Sequence, residues 1–273
     1  MSIKEGDLIK RHYRDQAKKY GASPQSTMED EVVRQKEIEF ILKYLAVPKN
    51  EQTNKILKIL DLGCGNGYTL SVLSKAYPNN YYYGIDYSAD LLSIAKNRKL
   101  KRCKLLEGDV RSLTFEGDYF DLIYTERCLI NILSCEEQKL ALREINRILK
   151  PGGHYIMIEC FTDGLLNNNK ARRECGLDEL KEAYHNKYFD KDLLFREINN
   201  IFVVAGGDDP DARYDGADFP NNFLSSHYFI TRILHPLVTK GEWVKNTEFV
   251  KYFSFLQPYG NYSPVQAYIL KKR

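Results

Sequence analysis

The chain has 273 residues, with 40 lysines and arginines against 37 acids for a net charge of +3. That near balance argues against a protein held to nucleic acid by a basic surface, and the lack of any apolar run of about 18 residues excludes a membrane-spanning helix. Six cysteines, at 64, 103, 128, 135, 160 and 175, show no CxxC pairing, so they read as reduced, small apolar side chains rather than a disulfide or zinc frame. No metal site is expected. The first residues, Met1 to Asp7, lack the apolar core of a signal peptide, so a cytoplasmic location is expected.

In chain order, Tyr13 and Tyr20 flank a polar stretch. Thr27 can then cap a helix through Asp30, with Ile38, Ile41, Leu42 and Leu45 as its apolar stripe and Pro48 at its end. Arg34 lies in this helix. The run Ile59-Leu60-Asp61-Leu62 follows, an apolar strand leading into Gly63-Cys64-Gly65-Asn66-Gly67. Alternate glycines allow positive φ and let a ligand lie against bare backbone. The dinucleotide pattern GxGxxG would need glycine at 68, where the chain has Tyr68. Tyr81 to Asp86 reads as a second strand ending in an acid, Leu105 to Val110 as a third carrying Asp109, and Phe120 to Tyr124 as a fourth followed by Glu126. Leu149-Lys150-Pro151-Gly152-Gly153 is a turn, and His154 to Ile158 a fifth strand. Between them, Ser88 starts a helix with Leu91, Leu92 and Ala95 on one face. Ser134 starts another, with Glu137 completing a capping box. Strands alternating with amphipathic helices mean a parallel sheet covered on both faces, with ligands beyond the carboxyl ends of the strands.

The DxGxGxG turn at Asp61 to Gly67, the acids closing the next strands and the Leu-Lys-Pro-Gly-Gly turn resemble, in order, the motifs of class I S-adenosylmethionine (SAM) dependent methyltransferases. The resemblance implies an α/β fold: a Rossmann-like, doubly wound seven-stranded sheet with an N-terminal helical lid and an inserted acceptor cap after strand five. It divides the chain into a lid and helix (1–54), a SAM-binding core (55–160), the cap (161–235) and a C-terminal completion of the sheet (236–273), with Val265 to Leu270 as strand seven. It implies SAM as cofactor, held by Asp61, Gly63, Cys64 and Gly65 at the first turn. Asp86 would take the ribose diol with Tyr87 beside it, Asp109 the adenine amino group, the Val110 amide a ring nitrogen, and Glu126 the end of strand four. Tyr13 and Tyr20 would belong to the lid, and Arg34 would pair with the methionine carboxylate, a bidentate contact suited to guanidinium.

Thr27-Met28, His185-Asn186-Lys187-Tyr188 and His227-Tyr228-Phe229-Ile230-Thr231-Arg232 are similar to segments of a methyltransferase subgroup encoded with surface-polysaccharide biosynthesis. That implies transfer of a methyl to a small-molecule acceptor, an oxygen of a sugar or phosphorylated precursor. An anionic acceptor would suit the basic residues Lys170, Arg172, Arg173 and Lys181. The alternatives are an N-methyltransferase on an amino sugar and a SAM-binding regulatory or pseudoenzyme subunit. No Asp/Asn-Pro-Pro-aromatic motif stands at Thr125-Glu126-Arg127-Cys128, so DNA-base methylation is not expected. Nor is a nucleic-acid or membrane-inserted partner, whereas a homodimer fits the N-terminal helix and cap. The donor methyl is already activated, so orientation, worth roughly 7 to 11 kcal/mol, outweighs a general base at about 10² to 10⁴ fold. His185 is the first candidate base, ahead of His227, His154, His12 and His235, with Tyr188 and Tyr13 as groups that orient the acceptor. Arg127 pairs with Glu126 or meets an anionic acceptor. The loop from Ala205 to Asp211 has no assigned purpose, and strand six has no assigned place.

Overall fold

A computed structural model describes residues 3–47, 55–205, 219–241, 245–253 and 255–273. In chain order these form α1 (Ile3–Tyr20), α2 (Glu31–Ala46), β1 (Lys58–Leu62), α3 (Tyr68–Ala76), β2 (Tyr81–Asp86), α4 (Ala89–Asn97), β3 (Cys103–Glu107) and β4 (Phe120–Glu126). There follow α5 (Cys135–Ile148), β5 (Leu149–Cys160), α6 (Thr162–Glu174), α7 (Lys191–Ile198), β6 (Phe202–Val204), α8 (Ser225–Phe229), a π-helical turn (Ile230–Leu234), α9 (His235–Thr239), α10 (Glu248–Phe253) and β7 (Val265–Lys272). The seven strands lie in the order β3-β2-β1-β4-β5-β7-β6. The first five run parallel and β7 pairs antiparallel with both β5 and β6. Strand order reverses between β1 and β4, where an open α/β sheet leaves its ligand crevice.

The central strands read as near-continuous apolar runs because both faces are covered. Phe120 and Phe161 are fully buried, each worth about 1.5 to 3 kcal/mol of transfer free energy. The Leu149 to Gly153 turn is a bulge inside the ladder: Phe120 pairs with Leu149, but Leu122 pairs with His154. Ser88 accepts from the Leu91 amide at 3.4 Å and Ser134 from the Glu137 amide at 3.5 Å, as the capping pattern predicts. The Glu137 carboxylate also receives Arg111 at 2.8 Å.

Several expectations need correction. The cap of α2 is Asp30, not Thr27: its carboxylate accepts from the Val33 amide at 3.2 Å, while the Thr27 hydroxyl accepts from Arg34. Arg34 therefore sits in the first turn of the helix. The helix is also buried on more than one stripe, because Phe40 packs on Phe219 and Phe223 at 5.4 and 5.3 Å between ring centres. Strand three ends at Glu107, which leaves Asp109 and Val110 in the following turn. Strand six lies at Phe202–Val204, within the span assigned to one cap. Among the described residues, additions to the core therefore stand in two places, α6 before α7 and α8 to α10 between β6 and β7. Pro48 and the 206–211 loop lie outside the described residues. None of the described helices is long and apolar enough to cross a membrane.

Candidate active site

At the carboxyl end of β1 the backbone turns so tightly that Gly63 and Cys64 both donate to the Ile85 carbonyl, at 2.8 and 3.0 Å. Gly63 has φ +80°, and a Cβ there would stand 2.6 Å from the Cys128 Sγ. One at Gly65, φ +53°, would stand 2.9 Å from the Thr27 methyl. Both positions therefore demand glycine twice over, for conformation and for space. Asp86, at the end of β2, accepts from the Gly65 amide at 2.7 Å and from the Ser88 amide at 2.9 Å. Burial pushes its carboxyl up to about 6 against those amide bonds.

These turns open onto one cavity. Gly63, Cys64, Gly65, Asp86, Tyr87, Asp109, Val110 and Glu126 line it, joined by Tyr13 of α1 and Arg34 of α2. Two of the predicted cofactor residues are not in its lining. Asp61 is buried beneath the turn, where its carboxylate accepts from the Tyr124 hydroxyl at 2.9 Å. Burial and the nearby Glu126 charge raise its pKa. The Tyr20 hydroxyl donates to Glu29 at 2.9 Å.

The lining includes residues the sequence did not single out. Ile9 joins Tyr13 in roofing the cavity, and Asn131 accepts from the Tyr13 hydroxyl at 3.2 Å. Asn66 ties the turn to the lid by donating to the Gly21 and Ser23 carbonyls at 3.0 and 2.8 Å. Arg111 pairs with Asp109 at 2.8 Å and, although burial alone would raise it, holds that carboxyl below its ordinary pKa. Arg127, at φ +57°, grips Glu37 in a fork at 2.7 and 3.0 Å, with Glu126 acting on it through its charge. Arg34 takes Glu126 at 3.3 Å. Beneath this layer, Glu159 of β5 is fully buried and accepts from the amides of Cys128, Leu129 and Ile130 at 3.1, 3.0 and 3.2 Å. The signal for it was present as one acid in the apolar run Tyr155 to Cys160, since a buried carboxylate requires donors.

His185 and Tyr188 do not line the cavity either. His185 stacks on His12 of α1 at 4.2 Å between ring centres, and burial lowers its pKa to about 4. Tyr188 is anchored by its backbone amide, which donates to Glu182 at 3.0 Å, while its phenol sits against Cys160.

SAM fits the residues present. The bare peptide edge at Gly63 and Gly65 has no room for side chains, the Asp86 carboxylate faces the cavity, and the buried Nε of Arg34 has no hydrogen-bond partner. The fold and crevice are those of the Rossmann-like class I methyltransferases. Residues 59–153 match the family described as a methyltransferase domain. Over 116 residues the chain is 36% identical to a demethylmenaquinone methyltransferase of Staphylococcus aureus, an alignment that covers 41% of this chain and 47% of that protein. The chain thus spans about half the length of the curated relatives it matches. Among solved structures, the complex of the Haloferax volcanii Trm112 activator with a methyltransferase matches at TM-score 0.51 and 18% identity, over 89% of this chain and 97% of that one. YcgJ from Bacillus subtilis matches at TM-score 0.50 and 15% identity, over 87% and 97%. At such identities these two likenesses establish the fold alone.

Proposed function

We propose that the protein transfers the methyl of SAM to a neutral small-molecule acceptor lodged between α1 and the turn after β4. The observation that carries this is the pairing inside the cavity. Arg34, Arg111 and Arg127 line it; Arg34 is assigned to the cofactor carboxylate, and Arg111 and Arg127 are each engaged by a carboxylate of the chain, so among the described lining residues no cation is left over for an anionic acceptor. Lys170, Arg172, Arg173 and Lys181 are not in the lining, and Arg173 is paired with Glu179. A sugar hydroxyl is compatible with this wall and a phosphorylated one is not favoured. The additions to the core lie outside the matched domain, so the quinone acceptor named for the staphylococcal relative does not carry over.

SAM supplies an electrophilic methyl on a sulfonium. The chain's part is to orient and to exclude water. In this proposal Asp86 holds the ribose, Arg34 the carboxylate, and Val110 with Asp109 the adenine edge. Ile9 and Tyr13 close the roof, with the Tyr13 phenol fixed by Asn131 so that it can orient the acceptor. Burial raises the Tyr13 pKa, which keeps the phenol a hydrogen-bond donor rather than a base. His185, with its lowered pKa and ring-stacked position, belongs to the contact between lid and cap. Accordingly His185→Phe, which keeps a ring to stack on His12, should leave turnover within a factor of about three, against the ~10² to 10⁴ loss on removing a general base.

SAM labelled in the methyl group, incubated with neutral and phosphorylated sugars and with amino sugars, tests the proposal. Label in a neutral acceptor is the expected result. Label only in anionic acceptors would overturn it. The absence of a side-chain base among the described lining residues, apart from acids and phenols, favours one second reading, a SAM-binding subunit without transfer. Tight SAM binding with no transfer to any member of the panel would support that reading.

A further inference from the structure

Two segments far apart in the chain, Thr27 to Asp30 and His227 to Arg232, meet at one carboxylate. Asp30 accepts from the Val33 amide through Oδ1. Its Oδ2 accepts from His227 Nε2 at 3.0 Å and from the Arg232 guanidinium at 3.4 Å. The three side chains are almost wholly buried: Asp30 and His227 are 1% exposed and Arg232 6%. Burial alone would raise the Asp30 pKa, but the His227 bond and charge, the Arg232 charge and the Val33 amide outweigh it and hold the carboxyl near about 2.

The backbone of the second insertion is shaped for this contact. In a regular α-helix, residues five apart are rotated by about 140° around the axis, too far to share one carboxylate. The π-helical turn at Ile230–Leu234 widens the coil between His227 and Arg232, and π turns of this kind recur at functional sites. Arg232 is steadied by Thr231 Oγ1 at 2.6 Å and by the Tyr228 ring at 4.6 Å, and its carbonyl accepts from Arg172 of α6. The first insertion thus buttresses the residue through which the second reaches Asp30.

On its other side Asp30 reaches the cavity through one helical turn. The Arg34 amide donates to the Asp30 carbonyl at 3.1 Å, and the Arg34 side chain bonds Thr27 just upstream. We propose that Asp30 is a positioning residue for Arg34: His227 and Arg232 of the second insertion fix the first turn of α2, and so place the guanidinium at the carboxylate end of the cofactor. This rests on the assignment of Arg34 to the cofactor carboxylate made above.

The test compares two nucleosides by calorimetry, S-adenosylhomocysteine, which has the amino-acid end, and methylthioadenosine, which lacks it. Asn caps a helix as well as Asp, so Asp30→Asn removes the charge but keeps the cap. It should weaken S-adenosylhomocysteine about tenfold and methylthioadenosine by less than about twofold. Arg34→Ala should show the same selective loss. His227→Gln, whose amide can still donate to Asp30, should bind both as the parent does. If Asp30→Asn fails to fold, Arg232→Met leaves the cap in place and is read the same way. Unchanged S-adenosylhomocysteine affinity in Asp30→Asn, beside a loss in Arg34→Ala, would overturn the positioning role alone. Equal loss of both nucleosides in Asp30→Asn would reduce the junction to a generic fold contact. If Arg34→Ala binds both nucleosides normally, the carboxylate assignment fails and this inference with it.

Discussion

Glu159→Ala is expected to destabilise the protein by about 2 to 5 kcal/mol, because three buried amides lose their acceptor. The side chain is fully buried and accepts three successive amides, at Cys128, Leu129 and Ile130. Each amide left without an acceptor costs about 1 to 3 kcal/mol, partly offset because a carboxylate no longer has to be buried. Cys128 and Asn131 line the cavity, so the damage should reach cofactor binding as well as urea stability. Burial lifts the Glu159 carboxyl to about 7, against the opposing amide bonds. Between its unfolded value near 4.5 and 7 the folded chain therefore holds a proton that the unfolded chain has lost. Its stabilising contribution is complete below 4.5 and disappears as pH rises through 7, roughly 3 kcal/mol in all. Urea denaturation of the ligand-free protein at several pH values should show this decline in the parent and a flatter profile in Glu159→Gln. Identical profiles would show that Glu159 does not titrate in that window.

Asp86→Ala should weaken S-adenosylhomocysteine binding by about 1.5 to 3 kcal/mol, the usual value of a hydrogen bond to a charged group. Part of that loss would be indirect, because Asp86 also accepts from the Gly65 amide and so shapes the turn against which the nucleoside is proposed to lie. The pH dependence separates the two contributions. A ribose hydroxyl donates best to the ionised carboxylate, and burial places the Asp86 pKa at about 6. Affinity in the parent should fall as pH drops through 6, approaching tenfold per pH unit, while Asp86→Asn should show no such slope. A calorimetric affinity that Asp86→Ala leaves unchanged would remove Asp86 from the ribose.

Much of this site was legible because its parts are local in sequence. An apolar run that ends in glycines or an acid declares both the strand and the end at which chemistry collects, so the Gly63 turn, Asp86 and Asp109 could be placed without coordinates. The caps at Ser88 and Ser134 were equally local. At the start of α2 two capping residues stand three apart, and only tertiary contact chooses between them: Arg34 takes the Thr27 hydroxyl and leaves Asp30 as the cap. Three residues make too short a strand for any period to register, so β6 was found only through its pairing with β7. His185 illustrates another limit, since the direction of a lone imidazole depends on the path of its loop, and that path leads to His12. Asp61, although part of the glycine motif, is buried beneath the turn, where the Tyr124 hydroxyl takes up its carboxylate.

Asn66 grips Gly21 and Ser23 from within the glycine turn, so the end of α1 is moored by the same loop that lines the cavity. Gly21, at φ +52°, turns the chain out of α1, and Asn66 holds that turn by its carbonyl. A change at Asn66 would therefore loosen the end of α1 and the glycine turn together.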